Sequence, residues 1–175
     1  MSPVLGANTM DASRDDRGAV TRAYVAALCE SLSARAAGYW QLDALAQRLV
    51  QVAFVPGARL DPQVGLEFAA ATLEVELSQK NLGIVAAARE GRPVVSRASD
   101  LPEDSGSGRW LRAFGASRSV AEPIRSRDGR VDGVLSVALP PEITLEDQEV
   151  VKRVQRAAFD QEGRSVVPGP ASAGS

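Results

Sequence analysis

The chain has 175 residues, with 20 Lys and Arg against 22 Asp and Glu, a formal charge of −2 and 45% hydrophobic residues. That is the length and balance of one globular domain, and it leaves no global field to draw nucleic acid or anionic lipid to the surface. The absence of histidine excludes Ser-His and Cys-His catalysis and His-ligated zinc or haem, and a single cysteine, Cys29, excludes an intrachain disulfide or an all-cysteine metal site.

Residues 1–12 show no clean period and are expected to be flexible. A helix follows, because Val20, Tyr24, Ala27, Leu28 and Ser31 fall on one face at three- and four-residue steps, behind a Ser13/Asp16 capping start. Val25, Cys29 and Leu32 form a second partial stripe beside that face. Residues 38–43 and 48–55 read as two strands joined by a short turn, the second ended by Pro56-Gly57. Asp61 and Pro62 open a helix with a cap residue and a proline at the first helical position. Its pattern, with Val64, Leu66, Phe68, Leu73, Val75 and Leu77, predicts a largely buried helix as far as about residue 79.

Asn81 is the expected cap of a short helix over 82–90, stopped by Gly91 and Pro93. Residues 93–97 form a strand candidate, 98–108 an acidic Gly/Ser-rich loop, and 109–114 a helical turn or two. Strands over 119–124 and 131–139 flank Ser126-Arg-Asp-Gly129, whose Asp-Gly pair is a hairpin signal. Thr144 and Asp147 make a capping box for a last helix with Val150, Val151, Val154, Ala157 and Ala158 on its apolar face. The Gly-, Pro-, Ser- and Ala-rich residues 161–175 are expected to be a disordered tail. Strands bracketed by terminal helices predict an α+β fold with one domain over 13–160: a central antiparallel sheet, helices on both faces, and the N- and C-terminal helices packed together.

Four segments carry a resemblance: Ala36-Ala-Gly-Tyr-Trp-Gln-Leu-Asp43, Gly83-Ile-Val-Ala-Ala-Ala-Arg-Glu-Gly-Arg-Pro-Val-Val95, Ser119-Val-Ala-Glu-Pro-Ile124 and Gly129-Arg-Val-Asp-Gly-Val-Leu-Ser-Val137. In this order they resemble the GAF domain, the small regulatory module of cyclic-nucleotide phosphodiesterases, phytochromes and many bacterial sensors, and imply a GAF/PAS-like sheet. Two departures stand out. Lys80 occupies the place where a first glycine often sits, and the 83–91 spacing is longer than the commonest pattern, so cyclic-nucleotide binding is not carried over.

Family members that reduce free methionine sulfoxide use several cysteines, and Cys29 alone cannot supply both attacking and resolving thiols. Family members that attach a bilin resemble one another in a late cysteine, often followed by histidine, and that region holds neither here. No enzyme activity and no bilin, haem or zinc is therefore expected. Period-two alternation puts Val131, Gly133, Leu135, Val137 and Leu139 on one face of the last strand and Asp132, Val134, Ser136 and Ala138 on the other. The larger set should pack on the terminal helices, leaving volume and a hydroxyl at Ser136.

The resemblance implies that a ligand would be lined by Ser136, Asn81, Leu82, Trp110, Phe114 and Phe54, with Arg109 and Arg112 beside the mouth. Two functions follow. One is a stand-alone cytoplasmic sensory domain that binds an unidentified small molecule and signals through a partner protein. The other is a ligand-free interaction module in which the same aromatics fill the core. Homodimerisation through the terminal helices suits either, if the second stripe of the first helix faces a partner rather than widening the core face. No membrane or nucleic-acid partner is expected, since no stretch approaches the roughly 18 apolar residues of a membrane span.

Overall fold

The computed structural model describes the backbone of residues 8–165 and the side chains of residues 16–158. The expectations for residues 1–7 and 166–175 lie outside the described residues. The elements are α1 (Asn8–Ser31), β1 (Ala36–Asp43), β2 (Arg48–Pro56), α2 (Pro62–Ala71), β3 (Glu74–Glu76), α3 (Gly83–Glu90), β4 (Val94–Arg97), a 3₁₀ turn (Ala98–Asp100), α4 (Gly106–Phe114), β5 (Arg118–Arg125), β6 (Val131–Leu139) and α5 (Asp147–Ser165). All strand pairs are antiparallel, in the order β3-β2-β1-β6-β5-β4. The chain thus forms an α+β fold, a six-stranded antiparallel sheet with helices on both faces.

Alternation along the strands feeds two separate cores. On one face Ala37, Tyr39, Val120, Leu135, Val137 and Leu139 pack with Val25, Leu28, Cys29 and Leu32 of α1 and Val150, Val154 and Ala158 of α5. The terminal helices are joined through this cluster, as expected from the residue sizes on β6. On the other face Ala36, Trp40, Phe54, Ala121, Val134 and Ala138 meet α2, α3 and α4.

Four local expectations are corrected. The buried face of α1 is Thr21, Val25, Leu28, Cys29 and Leu32, whereas Val20 is 51% exposed and Ala27 and Ser31 face solvent. The presumed second stripe is therefore the core stripe, because its side chains are larger than Ala27 and Ser31 and bury more apolar area. The helix read over 62–79 stops at Ala71. There the Thr72 backbone N–H and hydroxyl both donate to the Phe68 carbonyl, at 3.0 and 2.9 Å. Gln51 Nε2 holds the turn by donating to Ala69 O and Thr72 Oγ1. Val75 then enters β3, which supplies the free edge of β2 with backbone partners that a longer helix would leave unpaired.

Asn81 is not the cap of α3. The N-cap is Leu82, and the first helical N–H, that of Gly83, donates instead to Ser107 Oγ at 2.8 Å. Likewise α5 starts at Asp147, three residues beyond Thr144, and the Asp147 carboxylate accepts hydrogen bonds from Arg97 and Arg118. Arg118, itself buried, also donates to the carbonyls of Ile143 (3.1 Å) and Leu145. This clamp ties the edge of the sheet to the start of α5. Burial raises the Asp147 pKa, but the hydrogen bonds and charges of Arg118 and Arg97 outweigh it and hold the carboxyl below its ordinary value.

Candidate functional site

The register of the sheet explains why space remains on the α2/α3/α4 face. One cross-strand row runs Pro56, Ala36, Ala138, Ser119 and Ser96; the next runs Phe54, Gly38, Ser136, Ala121 and Val94. Six adjacent positions of β1, β6 and β5 thus carry nothing larger than serine, and one of them, Gly38, has no side chain at all. A Cβ on Gly38 would collide with the Trp40 ring, so glycine there lets the indole lie flat over the sheet. Trp40 is held in place by its indole N–H, which donates to the Thr72 carbonyl at 2.9 Å.

Over this floor stands a group of rings centred on Phe68 of α2. Its ring centroid lies 5.0 Å from Phe114, 5.1 Å from both Phe54 and Trp110, and 6.1 Å from Trp40. The rings meet edge-on or tilted, the arrangements aromatic quadrupoles favour. Between rings and floor lies a cavity of about 60 Å³. Its polar lining consists of Thr72, Gly83, Ser107, Ser119 and Ser136, and no ionisable side chain contributes.

The cavity is closed at one end by a link between α3 and α4. Ser107 N–H donates to the Asn81 carbonyl at 3.0 Å while Ser107 Oγ accepts from Gly83 N–H. Arg112 of α4 donates to the carbonyls of Ala98 (2.5 Å), Gly108 (3.1 Å), Pro102 and Leu101 (both 3.2 Å). Helix α4 and the loop before it are thereby fastened into one covering unit. With its donors turned to backbone carbonyls, Arg112 is a strut of that unit.

Of the residues singled out from sequence, Phe54, Leu82, Trp110, Phe114 and Ser136 line the cavity together. Asn81 and Arg109 are not among the lining residues. The Asn81 carbonyl serves the α3–α4 link, and the exposed Arg109 guanidinium lies 5.2 Å from the Trp110 ring centroid. Sequence reasoning missed Phe68, Trp40, Thr72, Ser107 and Ser119. Ser119 was within reach, since a tight 126–129 hairpin sets the β5–β6 register that puts it on the same face as Ser136. Phe68 was read only as one apolar residue of an over-long helix.

Cys29 lies across the sheet from the cavity, in the cluster under α1, and burial pushes its thiol up to about 11. Glu122, on that same closed face, is 9% exposed. Its Oε1 accepts from Gln155 of α5 at 3.4 Å, while Oε2 has no hydrogen-bond partner among the described residues. Burial raises its pKa, partly countered by the Gln155 hydrogen bond and the charge of Arg125. No cluster of three His, Cys, Asp or Glu side chains able to hold a metal occurs among the described residues, and no helix there is long and apolar enough to cross a membrane.

No curated protein sequence matches the chain. Among solved structures it is similar to the GAF domain region of a putative membrane protein from Geobacter sulfurreducens, with TM-score 0.69 and 13% identity over 90% of this chain and 98% of that one. It is similar to residues 122 to 287 of a methyl-accepting chemotaxis protein, with TM-score 0.63 and 21% identity over 86% of this chain and 88% of that one. A third similar structure is the type II free methionine-R-sulfoxide reductase of Thermoplasma acidophilum, with TM-score 0.59 and 15% identity over 86% and 95% of the two chains. At these identities the likenesses establish the fold. The GAF domain family model matches residues 16–158, nearly the whole of the described structure, and the chain belongs to the GAF domain family.

Proposed function

We propose that this GAF domain is a cytoplasmic sensory module that holds a small molecule non-covalently between its sheet and α4 and passes the bound state to a partner protein. The observation that carries this reading is the cavity over Ser119 and Ser136: concave, mostly apolar, with a few convergent polar groups. Ligand contacts with Trp110 and Phe114 would favour the closed position of α4 and its strapped loop, shifting the population toward that state. Helices α1 and α5, joined through the closed-face core, serve as the output. The domain acts without chemistry of its own, a reading supported by its single cysteine, whose thiol is buried on the face away from the cavity. The reductase among the similar structures is an enzyme; this chain shares its fold.

The test is native mass spectrometry of the protein purified with nothing added. A reproducible extra mass that disappears in Ser136→Leu, with secondary structure unchanged by circular dichroism, supports the sensor. A second reading, a ligand-free interaction module, is favoured by the way Phe68 packs against four neighbouring rings over the same floor. A clean dimer mass, with no small molecule retained and none bound in a screen, supports that alternative.

A further inference from the structure

We propose that the cavity takes a small, neutral, flat molecule with an apolar body and one hydrogen-bonding end, such as a phenol or a primary amide. This rests on reading the cavity as a ligand site and adds the class of ligand. The polar end belongs at the corner where β5 and α4 meet the first residue of α3. A Cβ built on Gly83 would lie 2.9 Å from Ser96 Oγ, 3.7 Å from Ser107 Oγ and 4.0 Å from Ser119 Oγ. Ser96 thus closes the corner tightly behind Gly83, where no further atom fits, while Ser107 and Ser119 beside it line the cavity. Ser136 stands one row further along the floor.

These hydroxyls have capacity to spare. Ser119 and Ser136 are half-buried, line the cavity, and make no side-chain hydrogen bond among the described residues. Ser107 Oγ accepts from Gly83 N–H, which leaves its own proton free to donate. A hydroxyl that faces the cavity with no protein partner can both donate and accept, so the corner favours a group that does the same. Away from the corner the walls are Phe54, Phe68, Trp110 and Phe114, which offer ring faces and edges to an apolar body.

Charge and size narrow the class. An ion entering here would shed its water with no opposite charge among the lining residues, and the first N–H of α3 is already taken by Ser107. One water needs about 10–15 Å³ of such space, so with the rings as they stand there is room for roughly four to six waters. A single substituted six-membered ring is the upper bound, and a nucleotide or tetrapyrrole would have to displace Phe68 or Trp110.

The experiment is a titration of the full chain followed by ¹H–¹⁵N correlation NMR, with phenol, benzamide, benzoate, benzylammonium and xenon as probes. Phenol and benzamide are expected to move the amides of Gly83, Ser119 and Ser136 and to bind at least tenfold more tightly than benzoate or benzylammonium. Ser119→Ala and Ser136→Ala should each weaken phenol roughly three- to tenfold, the worth of one neutral hydrogen bond, and leave xenon unchanged. Equal or tighter binding of a charged probe overturns the neutral class, as does phenol affinity indifferent to both serines. Xenon shifts without any organic probe also overturn the class while the cavity stands. If neither xenon nor any organic probe moves these amides, the ligand-site reading itself fails.

Discussion

The two faces of the one sheet are built from alternate residues of the same strands, yet they do opposite things. On the closed face β6 contributes Leu135, Val137 and Leu139, each essentially inaccessible, and these are locked between α1 and α5. On the open face the intervening Ser136 and Ala138, with Ala36, Gly38, Ser119 and Ala121 beside them, leave a floor that the helices above do not fill. A strand can thus stabilise the domain with one set of side chains and shape a cavity with the other, because period two keeps the two sets physically apart. Stability and binding are thereby separable by substitution.

The largest expected effect breaks the closed face. Leu135→Ala or Leu139→Ala should cost about 3–4 kcal/mol, a transfer and cavity loss at a site with no room to relax, read as a lower urea midpoint. A change below about 1 kcal/mol at both positions would mean that the helices are not packed as described. Next comes the Asp147 clamp. Asp147→Asn leaves the buried Arg118 guanidinium short of its charged partner and should destabilise by about 2 kcal/mol, less than for a fully buried pair because Asp147 is partly exposed. Since the folded pKa of Asp147 is depressed, its contribution is present above the unfolded pKa, about 4, and is lost as pH falls through the folded value. Urea unfolding between pH 2 and 6 should therefore show a steeper acid loss in the wild type than in Asp147→Asn.

On the open face, Ser136→Val should change stability by less than about 1 kcal/mol, since it places an apolar group where space exists. A loss as large as that of Leu135→Ala would erase the distinction between the faces. The smallest effect concerns Glu122, an acid whose folded pKa is raised, so its contribution is full at low pH and is lost as pH rises through that folded value. Glu122→Gln should flatten a shallow decline in melting temperature above about pH 4, opposite in sign to the Asp147 effect.

The alternation that separates the faces could be read from residues 131–139 without any partner strand, and the hairpin at Asp128-Gly129 follows from turn chemistry alone, with Gly129 at φ 83°. The inward side of α1 was misjudged because a helix with two apolar stripes does not declare which one meets the sheet. The end of α2 was misjudged for a similar reason. Residues 62–79 are apolar enough for a longer helix, and it is the unpaired edge of β2, far back in the chain, that draws Val75 into a strand.

For the candidate site, strand alternation pointed to Ser136, and the resemblance to the GAF domain family pointed to Phe54, Leu82, Trp110 and Phe114. The sequence could not show that Phe68 is the ring that four others surround, or that Ser107 rather than Asn81 caps α3 from 24 residues away. What the sequence by itself determined is five of the six strands, most of the helices, and the small-against-large division along β6, because these depend on residue type and on spacings of two to four. What only the tertiary structure decided is which small residues lie side by side, how much space the rings leave above them and which hydroxyls line the cavity beside Gly83. Those depend on strand register and helix placement, set by contacts between residues tens of positions apart.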